Sequence, residues 1–486
     1  MVQKILLFTP PRYMAIPVTR EMRCESISSL QMDTPATLLI LASILRGKGY
    51  DVSLIDANAL NLTSVEIVNE IKKNFFDIII FPICSSILDH DLQIVTEIKN
   101  VNPKPITITY SWFSRYFAKE ILAEYPDLDI FIVGEIISII GPLVDEISNG
   151  MPITTGGVVS RKNGEIQITD RAVPELDFNE IPMPAYDLLK TFKPYYIFNP
   201  LFSPYALMYC GKGCPFKCQY CNVSKTKYSA KSADMVIKEL KLLKKMGNIK
   251  YCWFFDEVFT INKKRVAEIC EGIIKEDLRI KWFCDSRVEL VDQELLYLMR
   301  KAGCIGIAYG VESGSQKILD SMKKGNTVQQ AKQAFDATRK AHIPTQLNLL
   351  LGYIGEDENT IRETKEFVRS VLPDILQVGI INPKPGTEFT QIAQNNKWID
   401  EDISWREALS NGYHLHNYQP FNIDLNKEIQ DIKKILIHNP HWWINCVKTL
   451  VYNMDLIKPV LGMYIHRLSN REKRENAYMN RETTEN

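Results

Sequence analysis

No stretch of this chain is both apolar and unbroken enough to cross a bilayer. The longest uncharged run, 194–211, is interrupted by Pro194, Pro200 and Pro204. A secretory leader is not expected either. The apolar stretch 5–8 follows Lys4, stops at Pro10-Pro11 and has no small-residue cleavage site. A cytoplasmic location with reduced thiols is therefore expected. Charge of either sign is not in excess: 58 Lys+Arg stand against 58 Asp+Glu. That balance gives no general attraction to nucleic acid or to acidic membranes. Histidine is scarce, with seven in 486 residues. Cysteine is not scarce. There are eleven, an odd number, and four of them fall within twelve residues. In a reducing compartment such a cluster points to metal rather than to disulfides.

Residues 1–150 alternate apolar, strand-like runs with helical patterns. Strands are expected at 4–9, 51–55, 77–81, 106–110 and 129–133, and helices at 34–46, 65–73, 88–101, 115–123 and 139–148. Five strand–helix units predict an open doubly wound α/β sheet. Ligands of such sheets lie beyond the strand C-termini. That places Pro10-Pro11, Asp56, Cys84–Ile87, Ser111–Ser114 and Gly134-Glu135 near any bound molecule. Residues 151–204 read as a connector with a hairpin-like Lys162-Asn163-Gly164. From 205 to 395 the alternation restarts. Six strands are expected at 206–209, 251–255, 281–284, 304–309, 345–351 and 376–381, with helices between them, which predicts a partial parallel (β/α)6 barrel. Residues 396–486 break the pattern. They form a small, mainly helical region containing Trp442, Trp443, Tyr452, Met454, Met463 and Tyr464, and end in a polar tail.

The strongest chemical signal is Lys212-Gly213-Cys214-Pro215-Phe216-Lys217-Cys218-Gln219-Tyr220-Cys221, directly after the first barrel strand. Three thiolates spaced C-x3-C-x2-C can hold three irons of a [4Fe–4S] cluster and leave the fourth open. The competing reading is a structural zinc site with Cys210 as fourth ligand.

This arrangement resembles the radical S-adenosylmethionine (SAM) superfamily over about 205–389. The resemblance makes Cys214, Cys218 and Cys221 the cluster ligands and puts Tyr220 beside the adenine. It implies that SAM binds the open iron and is cleaved to a 5′-deoxyadenosyl radical. An external electron donor, flavodoxin- or ferredoxin-like, goes with that chemistry. Further family positions recur at successive strand ends. Asp256 and Glu257 stand where relatives hold the SAM ammonium, although the family's glycines are absent here. Arg287 would pair with the SAM carboxylate. Glu312 and Ser313 stand in a segment directed at the ribose or carboxylate. Gly352 opens Gly352-Tyr353-Ile354-Gly355-Glu356, which resembles the adenine-side segment but departs from it at Tyr353-Ile354. Cys210 lies outside the pattern and reads as packing. Cys252, Cys270, Cys284 and Cys304 read as core, and Cys446 alone follows them, so an auxiliary cluster is not expected.

The first 204 residues resemble the cobalamin-binding half of one branch of that superfamily, on Pro10-Pro11, Gly49-Tyr50-Asp51-Val52, Asp56, Gly134-Glu135 and Leu176-Asp177 with Ile181-Pro182-Met183-Pro184. Asp89-His90 does not fit the loop that ligates cobalt through histidine. Trp112 stands where relatives often have Gly-Gly, and can pack on the corrin's nucleotide tail or fill its place. Cobalamin is the expected cofactor of this half; a scaffold without cofactor is the alternative. The function expected is cobalamin-dependent methylation of an unactivated carbon on an apolar small molecule such as a lipid, tetrapyrrole or natural product. The alternatives are an oxidative cyclase without methyl transfer, a tRNA methylthiotransferase-like enzyme and a non-catalytic cluster protein. The methylthiotransferases carry three cysteines in their first domain, where this chain has Cys24 and Cys84. No nucleic-acid partner is expected. The Trp/Tyr/Met-rich stretch either packs on the barrel or rests on a membrane surface.

Overall fold

The protein is described here by a computed structural model covering residues 3–21, 24–101, 104–169, 171–175, 177–198, 201–399, 403–413 and 423–452. β1 (Lys4–Thr9) leads into a hairpin, β2 (Val18–Glu21) and β3 (Cys24–Ile27), before the helix Ala36–Gly47. β4 (Asp51–Asp56), β5 (Ile78–Pro82), β6 (Ile106–Tyr110) and β7 (Ile130–Ile132) follow, each with a helix after it. They build one sheet in the order β4-β1-β5-β6-β7, all parallel. Ile5–Phe8 and Ile78–Phe81 are wholly buried. Helices cover both faces, so these strands read as continuous apolar runs.

The sheet does not end at residue 150. β8 (Val158–Lys162) and β9 (Glu165–Ile168) pair antiparallel along β7 and extend it to seven strands. The expected hairpin at Lys162-Asn163-Gly164 is their turn, with Asn163 and Gly164 at positive φ. The expected "connector" is thus partly sheet. The hairpin β2–β3 had no separate expectation, because its strands are four residues each and mixed in polarity.

The second half opens with β10 (Tyr205–Met208). A small antiparallel pair, β11 (Gly211–Lys212) and β12 (Ser229–Ala230), then closes the base of the cysteine loop. β13 (Tyr251–Phe254), β14 (Lys281–Ser286), β15 (Cys304–Glu312), β16 (Thr345–Leu351) and β17 (Ile375–Ile380) complete a six-stranded parallel sheet in sequence order, the partial barrel expected. The helices between them begin on side-chain caps: Ser232, Asn262, Asp292, Thr327 and Asp357 each accept a backbone N–H three residues on. In the last region, helices Leu425–Ile437 and Pro440–Tyr452 follow the barrel. Trp442 is buried, and its Nε1 donates to the Pro373 carbonyl at 2.8 Å, so this residue packs on the barrel. Leu176, and residues 453–486 with Met454, Met463, Tyr464 and the polar tail, lie outside the described residues.

The two halves meet through β2 and the segment before the first helix. Thr34 brackets Leu207, Tyr205 donates to Asp33 at 3.0 Å and Tyr209 to Glu21 at 3.2 Å, while Tyr195 of the connector donates to Asp56 at the end of β4 at 2.9 Å. Arg20, on β2, binds the carbonyls of Pro10 and Pro11 and forms a buried pair with Asp91 at 2.6 Å. Tyr116 presses on Gly386 of the barrel, where a Cβ would lie 2.1 Å from its ring.

Burial raises Glu21 to about 8 and Asp33 to about 6, from 4.5 and 3.8. A carboxyl whose folded pKa exceeds its unfolded one binds more protons when folded. The stability it contributes is complete below the unfolded value and is lost as pH rises through the folded one. Thermal unfolding between about pH 5 and pH 8.5 should therefore show Tm falling with pH, and Glu21→Gln should flatten the upper part of that fall.

Candidate functional site

The site starts at the turn out of β10. One oxygen of Asp256 accepts the N–H groups of Cys210 and Gly211, both at 2.8 Å, and Glu257 accepts that of Gly213 at 3.0 Å. Gly213 has φ +91°, and a Cβ there would sit 2.0 Å from the Lys227 carbonyl, so only glycine fits. Across the loop, Cys214 donates its N–H to Thr226 Oγ1 at 2.8 Å, and Lys225 to the Phe216 carbonyl at 2.8 Å. Gln219 is held on four sides. Its backbone bonds Met322 and Phe389, its Nε2 donates to Glu388 at 2.6 Å, and its Oε1 accepts from Tyr353 at 3.0 Å. Lys225 and Lys323 hold Glu388 down at about 2.

Cys214 and Cys218 are buried and Cys221 is half-buried; all eleven cysteines are free thiols. Burial raises Cys214 and lifts Cys221 to about 11, so protons must leave before these sulfurs bind metal. Among the described residues no three His, Cys, Asp or Glu side chains converge on a point that one ion could share. Three thiolates that each serve a different iron need no such point. Cys210 is fully buried behind the loop, its carbonyl held by Arg265 at 2.7 Å, in keeping with a packing role.

Arg287 stacks on Phe216, its carbon 3.9 Å from the ring centre, and sets Nη1 3.5 Å from Cys218 Sγ. Glu289 and the Lys324 carbonyl take the rest of its fork. The guanidinium thus faces the cysteine loop. Tyr220 accepts from Lys324 Nζ at 3.1 Å, and Lys324 also pairs with Glu312 at 2.9 Å. Glu312 has φ +75°, next to a register shift in β15, a local distortion that re-aims its carboxylate. These groups form one rim over the cysteines. Ser313 is not part of it: it is fully buried and bonds Thr364 at 3.2 Å. Gly352, at φ +92°, donates to Glu356 at 2.6 Å, and burial raises Glu356 to about 7. That loop supports the site from behind, through Tyr353.

Lys324 and Gln219 gave no sequence signal, since a loop lysine and a glutamine between cysteines have no spacing to betray them. Nor did Asn326. Its side chain is 2% exposed and neither polar atom has a hydrogen-bond partner among the described residues. Ser315 Oγ and Trp112 Nε1 are likewise buried without partners. Trp112 lies in the apolar cluster of Cys214, Phe216 and Cys221, with Arg115 3.9 Å over its ring. Lys212 ties the loop to Glu135 of the first sheet. Such unsatisfied groups are costly unless a ligand or water completes them, and Trp112 Nε1, packed with the cysteine loop, is one that a polar cofactor would complete.

The Radical SAM superfamily model matches residues 208–368. An uncharacterized methyltransferase of Pyrococcus horikoshii is 30% identical over 411 residues, spanning 84% of this chain and 86% of that protein. This chain belongs to the radical SAM superfamily. A second relative of this radical SAM enzyme is the anaerobic magnesium-protoporphyrin IX monomethyl ester cyclase of Rubrivivax gelatinosus, 29% identical over 74% of this chain and 66% of that protein. Its fold is that of two solved cobalamin-dependent enzymes. OxsB, with aqua-cobalamin and SAM bound, superposes at TM-score 0.74 with 16% identity, covering 96% of this chain and 73% of that one. TsrM of Kitasatospora setae, with cobalamin and a [4Fe–4S] cluster bound, gives 0.70 with 15% identity, covering 91% and 92%.

Gln219→Ala removes two side-chain bonds from the cysteine loop. It should lower the unfolding free energy of the metal-free protein by about 2 kcal/mol in denaturant titration, and lower the iron retained per chain after reconstitution.

Proposed function

We propose that this radical SAM enzyme carries its [4Fe–4S] cluster on Cys214, Cys218 and Cys221, and methylates a carbon of a small molecule with cobalamin in its first half. The observation that carries the reading is one braced loop. It presents three free cysteines at the C-terminal mouth of a parallel barrel, facing the strand ends of a second α/β sheet. With the cluster, SAM and cobalamin bound, the site supplies one-electron reduction and methyl transfer.

The chain's own residues have definable tasks. Arg287 and Lys324 place two cations beside sulfurs that must become thiolates, which favours the charged form. Tyr220 offers an aromatic face held in place by Lys324. Glu257 and Glu312 provide carboxylate oxygens for an ammonium or a ribose hydroxyl. Asn326 provides an unused donor and acceptor. Towards the corrin, the first sheet offers the hydroxyl cluster Ser85, Ser111 and Ser114, with contacts of 2.8 and 3.3 Å, and the orphan Nε1 of Trp112. His90 is bonded to Asp91 at 3.0 Å, in line with a corrin held without a histidine ligand.

The identity to the cyclase supports a second reading, oxidative ring closure without methyl transfer. A one-electron carrier of flavodoxin or ferredoxin type completes either proposal. Among the described residues no helix is long and apolar enough to cross a membrane. The stripe Trp443, Val447 and Val451, about half exposed on the helix Pro440–Tyr452, supports peripheral contact with a lipid surface.

Anaerobic reconstitution with SAM and reductant, with and without cobalamin, tests the reading. We expect about four irons per chain, retained corrin, 5′-deoxyadenosine and S-adenosylhomocysteine. A cluster that still assembles in the Cys214→Ala/Cys218→Ala/Cys221→Ala variant refutes the ligand assignment. Loss of corrin with 5′-deoxyadenosine intact favours the cyclase.

A further inference from the structure

The barrel strands alternate side chains between helices and lumen. On β14, Trp282, Cys284 and Ser286 are buried, while Phe283 and Asp285 are half-buried. The lumen-facing set, with Ser26 and Phe198 opposite, lines a half-open cavity of about 390 Å³ below the strand ends that carry Asp256, Arg287 and Glu312. Its upper rim includes Phe255 and Asp285, one residue from Asp256 and two from Arg287. A radical generated at the barrel mouth would therefore stand over it.

The cavity has two chemically distinct walls. One is aromatic: Trp253 and Phe255 meet edge to face at 5.0 Å, and Phe198 and Phe283 at 5.1 Å. The other is polar. Gln346 Nε2 donates to Asn348 Oδ1 at 2.9 Å, with Asp285 and Gln377 beside them. That bond leaves Gln346 with an acceptor oxygen and Asn348 with a donor amide, a paired edge. Small residues keep the space open: Gly306 lies under the Phe283 ring, where a Cβ would meet it at 2.8 Å, and Ala308 stands next on the lumen face. Ser26 of β3 and Phe198 line the side away from the barrel wall.

We infer that this cavity is the substrate site and that it takes an aromatic molecule of one or two rings bearing adjacent hydrogen-bond donor and acceptor groups on one edge. The inference rests on the proposed radical SAM reading and narrows it. The volume lies toward the small end of the ~300–1,000 Å³ of ligand cavities. A tetrapyrrole with its side chains would protrude from its open side. A purely aliphatic lipid would leave the amides of Gln346 and Asn348 buried without partners, at a cost in affinity. The expected apolar substrate thus becomes an amphipathic one.

The test uses the full chain without added cofactor, so its readout is binding alone. Indole-3-carboxamide, 3-methylindole and zinc protoporphyrin IX are titrated by calorimetry and saturation-transfer NMR. Indole-3-carboxamide should bind. Asn348→Leu should weaken it about tenfold while leaving 3-methylindole unchanged, and Ala308→Trp should abolish both by filling the cavity. The proposal is overturned if indole-3-carboxamide fails to bind, binds Ala308→Trp equally well or is displaced by SAM. Zinc protoporphyrin IX binding that is lost in Ala308→Trp also overturns it. The triple cysteine variant should bind the indole probe as the wild type does, so the cluster assignment and the cavity assignment fail separately.

Discussion

Two backbone N–H groups, those of Cys210 and Gly211, converge on one oxygen of Asp256, and the site follows from that junction. Asp256 stands two residues past the end of β13, so the second barrel strand fixes how the chain leaves the first. With that exit set, Gly213 turns, Glu257 takes its N–H, and the cysteines face the barrel mouth. The arrangement is buried and electrostatically weighted: burial pushes Asp256 up to about 6 and Arg265 pulls the other way. A carboxylate at this position also stands near any ammonium bound at the mouth. The first demand on it is nevertheless structural, because it accepts two backbone N–H groups at the turn that starts the cysteine loop.

Around the thiols the charges are ordered by depth. Arg287 and Lys324 lie buried against the loop, and their counter-ions Glu289 and Glu312 lie beside them. The exposed lysines Lys225 and Lys323 are spent on Glu388, which holds Gln219. Paired cations thus lie beside the sulfurs inside the site, while the outer ones brace its frame. The balance of the whole chain, 58 Lys+Arg against 58 Asp+Glu, is repeated in the ion pairs around the thiols.

The strands were legible because buried parallel strands are short, apolar and evenly spaced; β6 and β16 fall on the residues expected. The cysteine loop was legible because its spacing is specific. Less legible was whatever depended on contacts distant in sequence. The pattern could show Asp256 and Glu257 at a strand end but not that both turn to the loop's backbone. Ser313 reads as a site residue from its neighbours, yet packing against Thr364 draws it inward. Arg287 reads as an anion receptor and is found beside Cys218. Gln219, Lys324 and Asn326 lie in loops whose course is set by tertiary packing, where periodicity carries no information. The hairpin β2–β3 escaped for the same reason: its strands are too short and mixed to show alternation.

That hairpin has two faces. Along β3, Cys24 and Ser26 point to the barrel cavity, while Glu25, between them, accepts from Ser85 at 2.6 Å and Ser111 at 2.6 Å at the strand ends of the first sheet. Successive residues of one strand therefore touch the two halves of the enzyme in turn. A shift of β3 by a single residue would exchange those faces, burying a carboxylate in an aromatic chamber and stripping the serines of their acceptor. The register of β3 therefore ties the strand ends of the first sheet to the wall of the barrel cavity.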